Sequence, residues 1–445
     1  MTKIGMISLG CPKNQVDAER MLAVLDEKKY VIADCYDGAD AVIINTCGFI
    51  DEAKQEAIDN ILEMAQLKED GVIKKIIVTG CLSEVYKEEI FSEMPEVDAV
   101  VGIGAIGHID SIIERVLAGE RVTDLPSKYD LPLVGGRLLT TPEYWAYLKI
   151  ADGCSNRCAY CSIPYIRGNY RSVDFETVIE EAKQLAASGV KEIILIAQDT
   201  TAYGLDKYGR LRLPELLSEL SGIDGIEWIR MLYCYPDKIT DELLDVMKSN
   251  PKILHYIDLP LQHADDGILR RMNRHGDSAF LRDVIRRIRE AMPDAVIRTT
   301  MMVGFPGEGE EEFENLADFV NEMEFDRLGC FSFSPQEGTP AFDMEDQVEE
   351  SVKVRRGEII MQDQLEIVTL KNEGKVGKTY RVLVDDYDSY TDSYSGRTYM
   401  DAPEIDGIIR FTTDKNYEPG DFADVIVIGV NEYDLIGRDI AAKNH

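Results

Sequence analysis

Short apolar runs alternate with amphipathic helical stretches along most of this chain, and no other feature restricts its fold as strongly. Within residues 1–125, four β-branched runs end in Gly, Thr or Cys: KIGMISLG, AVIINTCG, KKIIVTGC and VDAVVGIG. Helical patterns such as DEAKQEAIDNILEMAQ lie between them. Buried apolar strands joined by helices indicate a parallel sheet, so we expect residues 1–125 to form an N-terminal α/β domain.

A second α/β series follows residues 126–143, which have the Pro, Gly and charge content of a linker. Its candidate strands are WAYLKIA, KEIILIAQ, EWIRMLYCY, HYIDLPL, AVIRTTMMVGF and LGCFSFSP. Six βα units in succession predict a complete or partial TIM-type barrel over residues 144–371, ending in a charged connecting helix. From 372 to 445 the pattern changes to strands and turns, which predicts a small all-β barrel.

Composition limits the functions that the chain can have. The sequence contains 82 Asp and Glu against 48 Lys and Arg, a net charge of −34. Such a surface repels phosphate backbones unless it hides a basic channel, and it suits a basic protein partner. Acidity that only keeps the protein soluble is the alternative. Because the sequence has neither a membrane-length apolar run nor the pattern of a signal peptide, we expect a cytoplasmic protein with no membrane partner.

Three cysteines are concentrated in the segment GCSNRCAYCSIP, at Cys154, Cys158 and Cys161. This segment follows the first barrel strand, at the end where barrel enzymes carry their chemistry. Structural zinc sites use four ligands, but the next cysteine along the chain is Cys234. Three thiolates can hold three irons of a four-iron cluster and leave one iron open to a substrate. The spacing therefore favours an iron–sulfur site over zinc or accidental clustering.

Three further cysteines, Cys11, Cys47 and Cys81, each follow an apolar run in the first domain. If those runs are neighbouring parallel strands, the three thiols converge at the sheet edge where open α/β sheets bind ligands. The alternative is that they are small apolar residues at strand ends. The remaining cysteines lack this context and are expected to be ordinary buried or half-buried thiols: Cys35, Cys234 and Cys330.

The spacing C-x3-C-x2-C after a first barrel strand resembles the radical S-adenosylmethionine (SAM) superfamily. There the open iron chelates SAM, and the reduced cluster cleaves it to a 5′-deoxyadenosyl radical. The resemblance implies that Tyr160 lies beside the adenine and that Gly304, in GFPGE, belongs to the glycine-containing stretch ending the fifth strand. Four side chains near barrel strand ends are further candidates for contact with SAM or substrate: Gln198, Asp199, Gln262 and Arg298.

A second cysteine group ahead of a radical SAM barrel resembles the methylthiotransferases, and this resemblance covers nearly the whole chain. It implies two [4Fe-4S] clusters, with the second supplying sulfur, and SAM as both methyl donor and radical source. It also identifies residues 372–445 as a TRAM domain. No catalytic residue beyond the clusters is implied, but an electron donor and a sulfur donor are required as partners.

Branches of this family modify either a tRNA base or an aspartate of a ribosomal protein. The segment SLGCPKNQVDAE resembles the ribosomal-protein branch, whose motif is SLGC-x-KN-x-VDSE, although Ala18 replaces the usual serine. The tRNA branch typically has GCQMN there. Residues 371–445 carry nine Lys and Arg against fifteen Asp and Glu, about −6, whereas an RNA-gripping module should be basic.

The resemblance therefore implies methylthiolation of the β-carbon of an aspartate in small-subunit ribosomal protein twelve. Nucleic acid would be met only as part of the ribosome. Two alternatives stay open at this point. One is methylthiolation of tRNA adenosine, and the other is a non-catalytic iron–sulfur protein that transfers electrons or scaffolds an assembly.

Overall fold

The structure is a computed structural model that describes residues 1–33 and 35–441. Within these ranges the chain forms two parallel α/β sheets followed by a closed β-barrel, as the sequence patterns predicted. Over the same residues, no helix combines the length and the apolar character needed to cross a bilayer.

The first α/β unit is a parallel sheet with helices on both faces. Its strands are β1 (Thr2–Ser8), β2 (Tyr30–Ile32), β3 (Ala41–Thr46), β4 (Ile76–Gly80), β5 (Ala99–Val101) and β6 (Val122–Asp124). Its helices are α1 (Pro12–Val24), α2 (Asp51–Glu69), α3 (Cys81–Val85), α4 (Lys87–Glu93) and α5 (Ile109–Leu117). The strand order is β2-β1-β3-β4-β5-β6, and every residue of β3 and β4 is buried. Layers on both faces therefore cover the central strands, as a parallel sheet requires.

The second α/β unit is a partial barrel. Its strands are β7 (Trp145–Lys149), β8 (Ala151–Asp152), β9 (Arg171–Ser172), β10 (Glu192–Ile196), β11 (Trp228–Met231), β12 (Ile253–Asp258), β13 (Val296–Val303) and β14 (Arg327–Ser332). Its helices are α6 (Ile163–Ile166), α7 (Phe175–Ala187), α8 (Leu205–Tyr208), α9 (Leu213–Ser221), α10 (Asp241–Ser249), α11 (Asp266–Arg271), α12 (Ser278–Ala291) and α13 (Glu310–Met323). The main sheet is parallel in the order β14-β13-β12-β11-β10-β7, with β8 and β9 paired separately. Within the described ranges β7 and β14 are its two edges, so the barrel is partial.

Helix α14 (Glu350–Glu373) leads into a small closed barrel of antiparallel character. Its strands are β15 (Thr379–Asp388), β16 (Ser393–Arg397), β17 (Ile409–Thr412), β18 (Phe422–Asn431) and β19 (Asp434–Asp439). Both tryptophans of the chain, Trp145 and Trp228, lie in the apolar cluster that joins this barrel to the α/β barrel. They are the first residues of β7 and β11, so the small barrel packs on the amino ends of the α/β barrel strands. The small barrel therefore does not cover the carboxyl ends of these strands, where α/β barrels form their active sites.

Buried charges join the first unit to the α/β barrel. Asp17 of α1 pairs with Lys149 Nζ at 2.5 Å and with Arg167 Nη1 at 2.8 Å. Arg167 Nη1 also lies 2.9 Å from Asp152, and all four side chains are at most 1% exposed. Charges can be buried at this depth because each has a partner of opposite sign.

The segment 126–143 is held between the same two units. Arg137, only 4% exposed, pairs with Glu19 of α1 at 2.5 Å and with Glu181 of α7 at 2.8 Å. Part of the expected linker is therefore fixed by ion pairs, which restricts how the first unit sits on the barrel.

Candidate functional site

The cysteines of the first unit follow three neighbouring strands, because β1, β3 and β4 are adjacent in the sheet. Cys47 and Cys81 come directly after β3 and β4, and Cys11 lies three residues after β1. Gly10 and Gly80, each immediately before a cysteine, have φ of +86° and +98°. A Cβ on Gly10 would stand 2.5 Å from Cys47 Cβ and 2.9 Å from Cys47 Sγ. Glycine at this position is therefore what allows Cys47 to lie beside the Cys11 segment.

The cysteines of the barrel lie in the loop that follows β8. Two contacts with the α11 region hold this loop, since Ala159 N–H donates to Met272 O at 2.9 Å and Asn273 Nδ2 donates to Arg157 O at 2.8 Å. Tyr160 is 9% exposed, and its ring packs edge-on against that of Phe305, with the two ring centroids 6.5 Å apart. The loop is thereby held by the α11 region and by Phe305.

Both cysteine groups open onto one cavity. It has a volume of about 320 Å³ and lies where the carboxyl ends of the two parallel sheets meet. Its walls include six cysteines: Cys11, Cys47, Cys81, Cys154, Cys158 and Cys161. Ligand sites in proteins typically measure roughly 300–1,000 Å³, so the volume suits a bound small molecule.

Each cysteine group is contacted by one guanidinium, that of the buried Arg167 or that of the half-buried Arg274. Arg167 Nη2 donates to Cys81 Sγ at 3.6 Å, and Arg274 Nη1 donates to Cys158 Sγ at 3.8 Å. Arg274 also stacks on the Tyr235 ring at 4.0 Å, and the Tyr235 hydroxyl lies 3.7 Å from Cys158 Sγ. Positive charge beside sulfur stabilises the thiolate form, which is the form that binds iron.

Burial controls the pKa values of these thiols. It raises the pKa of Cys81 to about 12, despite the nearby Arg167, and that of Cys154 to about 11. Burial likewise raises the pKa of Cys47 and of Cys161. At Cys11 burial acts in the same direction, but the charges of Lys13 and Arg167, together with hydrogen bonds from the backbone N–H groups of Asn14 and Lys13, outweigh it and lower the pKa. Iron binds thiolates, so its uptake here must release protons and is favoured as the pH rises.

Three of the other predicted contacts line the cavity: Tyr160, Gln198 and Gln262. Gln262 has a φ of +75°, an unusual backbone conformation for a non-glycine residue. The amide nitrogen and oxygen of Gln198 are both buried without a hydrogen-bond partner among the described residues. Since buried polar atoms are nearly always satisfied, the amide of Gln198 has the capacity to bind a ligand in this cavity.

The remaining predicted contacts lie outside the residues that line the cavity. Asp199 accepts hydrogen bonds from Thr201 Oγ1 at 2.7 Å and from Asn156 Nδ2 at 2.8 Å. It therefore stabilises the cavity wall through Asn156, which lines the cavity. Arg298 pairs with Asp258 at 3.0 Å, near the amino end of β13. Gly304 has a φ of +73° and packs against α14. Their assignment to SAM or substrate stays a prediction.

Sequence reasoning overlooked several residues of this cavity: Lys13, Arg167, Tyr233, Tyr235 and Arg274. The two tyrosines had a usable signal, because they follow the end of β11 just as Gln198 follows β10. Lys13 also had one, because it lies two residues after Cys11 within the motif SLGC-x-KN. The arginines had none, since they belong to other elements and reach the site only through the fold.

Two expectations about the remaining cysteines need correction. Cys35 is exposed, whereas the sequence suggested a buried or half-buried thiol. Cys234 is buried as expected, but it also lines the cavity, because the segment after β11 turns along the cavity wall. Cys330 is half-buried, as predicted.

The donor set fits iron–sulfur clusters. The six thiols of the two cysteine groups, two guanidiniums that donate to sulfur and an unsatisfied amide surround one cavity. In the described residues, no three His, Cys, Asp or Glu side chains converge closely enough to hold a single metal ion. A four-iron cluster has a different requirement, because its thiolates bind separate irons and need not converge on one ion.

We predict that Gly10→Ala will disturb the first-unit cysteine group and leave the barrel group intact. The added Cβ would collide with Cys47 and would also require a left-handed φ. After anaerobic reconstitution the variant should hold about four iron atoms per chain instead of about eight. Gly38→Ala is the matched control, because Gly38 also has a positive φ, +73°, but has no atom within 4 Å of an added Cβ. Full iron content in Gly10→Ala would contradict this prediction.

Comparison with known proteins identifies three sequence families along the chain. Residues 148–320 match the radical SAM superfamily, residues 3–102 match the uncharacterized protein family UPF0004, and residues 376–440 match the TRAM domain. These ranges fall within the α/β barrel, the first unit and the small β-barrel, respectively.

Solved structures share the fold at low sequence identity. The radical S-adenosylmethionine methyltransferase TsrM from Kitasatospora setae aligns with a TM-score of 0.57 and 12% identity, over 77% of this chain and 75% of that one. The cobalamin-dependent enzyme OxsB aligns with a TM-score of 0.51 and 12% identity, over 81% of this chain and 56% of that one.

Curated relatives match along nearly the whole chain. The ribosomal protein uS12 methylthiotransferase RimO of Thermoanaerobacter sp. (strain X514) is 50% identical over 439 residues, covering 98% of this chain and 100% of that protein. The proteins of the same name from Acetivibrio thermocellus and Clostridioides difficile are each 48% identical, covering 98% of both chains. The chain belongs to the RimO family of the radical SAM superfamily.

Proposed function

We propose that this protein is a radical SAM methylthiotransferase that adds a methylthio group to the β-carbon of an aspartate in ribosomal protein uS12. The observation that carries this proposal is the single cavity lined by both cysteine groups. Sulfur insertion needs a radical source and a sulfur donor within contact of the same substrate carbon, and one shared cavity meets that requirement.

The cysteines would hold two [4Fe-4S] clusters, one on each group. When bound, the clusters and SAM supply reductive cleavage of SAM and sulfur for transfer. Gln198 offers its unsatisfied amide to SAM, and Tyr160 and Gln262 complete that part of the wall. Arg274 and Arg167 each donate a hydrogen bond to a ligand sulfur, which spreads the negative charge of the thiolates.

The residues of this chain act by position. An unactivated C–H bond has no acidic proton, so general acid–base catalysis by a side chain cannot break it. What the protein must do is hold the reactants together and keep water away. The buried ion pairs of Asp17 with Lys149 and Arg167 serve this purpose, because they fix the first unit against the barrel on which the second cysteine group lies.

The choice of uS12 is supported by the names of the curated relatives and by charge. The protein carries a net charge of −34, which favours association with a basic ribosomal protein. On the small β-barrel, a surface groove of about 670 Å³ is lined by aromatic side chains and by four acids against one base, Asp386, Asp392, Asp414 and Glu418 against Lys415. Such a surface repels an RNA backbone and suits Lys- and Arg-rich protein segments.

Two further partners complete the proposal. Cleavage of SAM requires an electron donor, and repeated turnover requires a source of sulfur; both are proposed to be separate molecules. Methylthiolation of tRNA adenosine is the alternative reaction. A non-catalytic iron–sulfur carrier is the alternative of another class.

One experiment tests these possibilities together. Anaerobically reconstituted protein is reduced in the presence of SAM with either purified uS12 or total tRNA, and the products are examined by mass spectrometry. We expect uS12 to gain one methylthio group on an aspartate, and tRNA to stay unmodified. Modification of tRNA alone would overturn the choice of substrate. Absence of 5′-deoxyadenosine in every sample would favour the carrier.

A further inference from the structure

Lys13 is a buried cation in the wall of the shared cavity. It belongs to the first turn of α1, and its side chain and backbone together are only 6% exposed. Its Nζ lies 3.1 Å from the centroid of the Tyr233 ring, which comes from the segment after β11. Lys13 therefore stands where the wall built by the first unit meets the wall built by the barrel.

The ammonium of Lys13 has no carboxylate partner among residues 1–33 and 35–441. The nearby acids are already engaged, since Asp152 pairs with Lys149 and Arg167, and Asp258 pairs with Arg298. An aromatic ring offsets only part of the cost of burying a charge. A carboxylate within hydrogen-bond distance would offset far more.

The other cations of the cavity have more hydrogen-bond and ion-pair partners than Lys13. Arg167 contacts two carboxylates and Cys81, and Arg274 donates to Pro260 O, contacts Cys158 and stacks on Tyr235. The charge of Lys13 acts on the Cys11 thiol, but among the described cavity residues Lys13 is the cation whose side chain has neither a hydrogen-bond acceptor nor a carboxylate partner. Its ammonium therefore keeps capacity for an anionic ligand. The ligand must enter the cavity, because Lys13 is not accessible from the outer surface.

We propose that Lys13 binds the side-chain carboxylate of the target aspartate. This inference rests on the proposed function and identifies one residue that selects its substrate. The β-carbon to be modified is bonded directly to the carboxylate carbon, so an ion pair at Lys13 holds the reacting carbon close to the junction of the two cysteine groups. A neutral asparagine or a base would leave the ammonium unpaired and is rejected for that reason.

The test compares two uS12 substrates, one with the target aspartate and one with asparagine in its place. For the unmodified enzyme, we expect kcat/KM to favour the aspartate protein by roughly 10- to 100-fold, the value of a hydrogen bond to a charged group. Lys13→Met keeps most of the length of the side chain and removes the charge, so the preference should fall to within about threefold. Lys13→Arg keeps the charge and should retain part of the preference. Lys28→Met, at an exposed position of the same unit, is the matched control.

Binding and iron content provide independent measurements. Affinity of the reconstituted protein for uS12, measured without reductant, should show the same loss of discrimination in Lys13→Met. An undiminished preference for aspartate in Lys13→Met would overturn the inference. Loss of iron from both Lys13→Met and Lys13→Arg would also overturn it, because Lys13 would then be needed to hold the cluster at the first-unit cysteine group. If the unmodified enzyme does not act on uS12 at all, it is the proposed function that fails.

Discussion

Replacing Cys47 with alanine is expected to abolish methylthiolation of uS12 while SAM cleavage continues. Cys47 lines the shared cavity from the first unit, whereas SAM cleavage is proposed to depend on the barrel group at Cys154, Cys158 and Cys161. The reconstituted variant should hold about four iron atoms per chain instead of about eight. It should still release 5′-deoxyadenosine, and the methylthio product should fall below detection.

Cys35→Ala is the matched control for this experiment. Cys35 is a free cysteine of the same unit, but it is exposed and lies outside the cavity walls. We expect it to retain both the iron content and the methylthiolated product. If Cys47→Ala still inserted sulfur, the first-unit cysteines would not form the sulfur-transfer site and the proposed function would need another source of sulfur.

The arrangement of strands and cysteines could be predicted because both depend on local sequence. Apolar runs that end at Cys47 and Cys81 show where two strands stop, and parallel strands bring their carboxyl ends to one edge. The short strands β2 and β6 were not predicted. Each lies at an edge of the sheet and buries only one of its three residues, whereas the equally short β5, which was predicted, buries all three.

Position near a strand end predicted the cavity walls only in part. Gln198 and Asp199 are neighbours after β10, yet Gln198 lines the cavity and Asp199 caps the turn at Thr200–Ala202. Successive side chains in extended backbone point to opposite sides, and sequence alone does not reveal which side faces the cavity. Arg298 lies near the amino end of β13, away from the end where barrel sites form.

The charged residues of the site depend on tertiary structure. The segment PKNQVDAER of α1 is polar on every face, which in isolation is typical of an exposed helix. Its charges are instead buried because the barrel supplies Lys149 and Arg167 as partners for Asp17. No periodicity in the sequence indicates that pairing, since the partners are more than 130 residues apart.

Arg167→Met is expected to destabilise the folded protein by about 3 kcal/mol, the cost of breaking a buried charge network by removing one partner. Arg167 is 1% exposed and contacts Asp17 at 2.8 Å and Asp152 at 2.9 Å. Lys149 still neutralises part of that charge, which keeps the loss near the lower end of the usual range. Urea unfolding followed by circular dichroism measures the change. Arg286→Met is the matched control, because Arg286 also pairs with two carboxylates but is 56% exposed, so its loss should leave the free energy of unfolding nearly unchanged.

The same substitution should alter the first-unit cysteine group, because Arg167 Nη2 donates to Cys81 Sγ. A hydrogen bond to a ligand sulfur stabilises the more negative, reduced state of a cluster. We therefore expect Arg167→Met to lower the midpoint potential of the cluster bound at that group, or its iron occupancy, while the barrel cluster near Arg274 is unchanged. Arg167→Lys keeps the charge but lacks the planar fork that reaches Asp17, Asp152 and Cys81 together, so its effect should be intermediate. Equal changes at both clusters would mean that Arg167 acts through overall stability and not through its contact with sulfur.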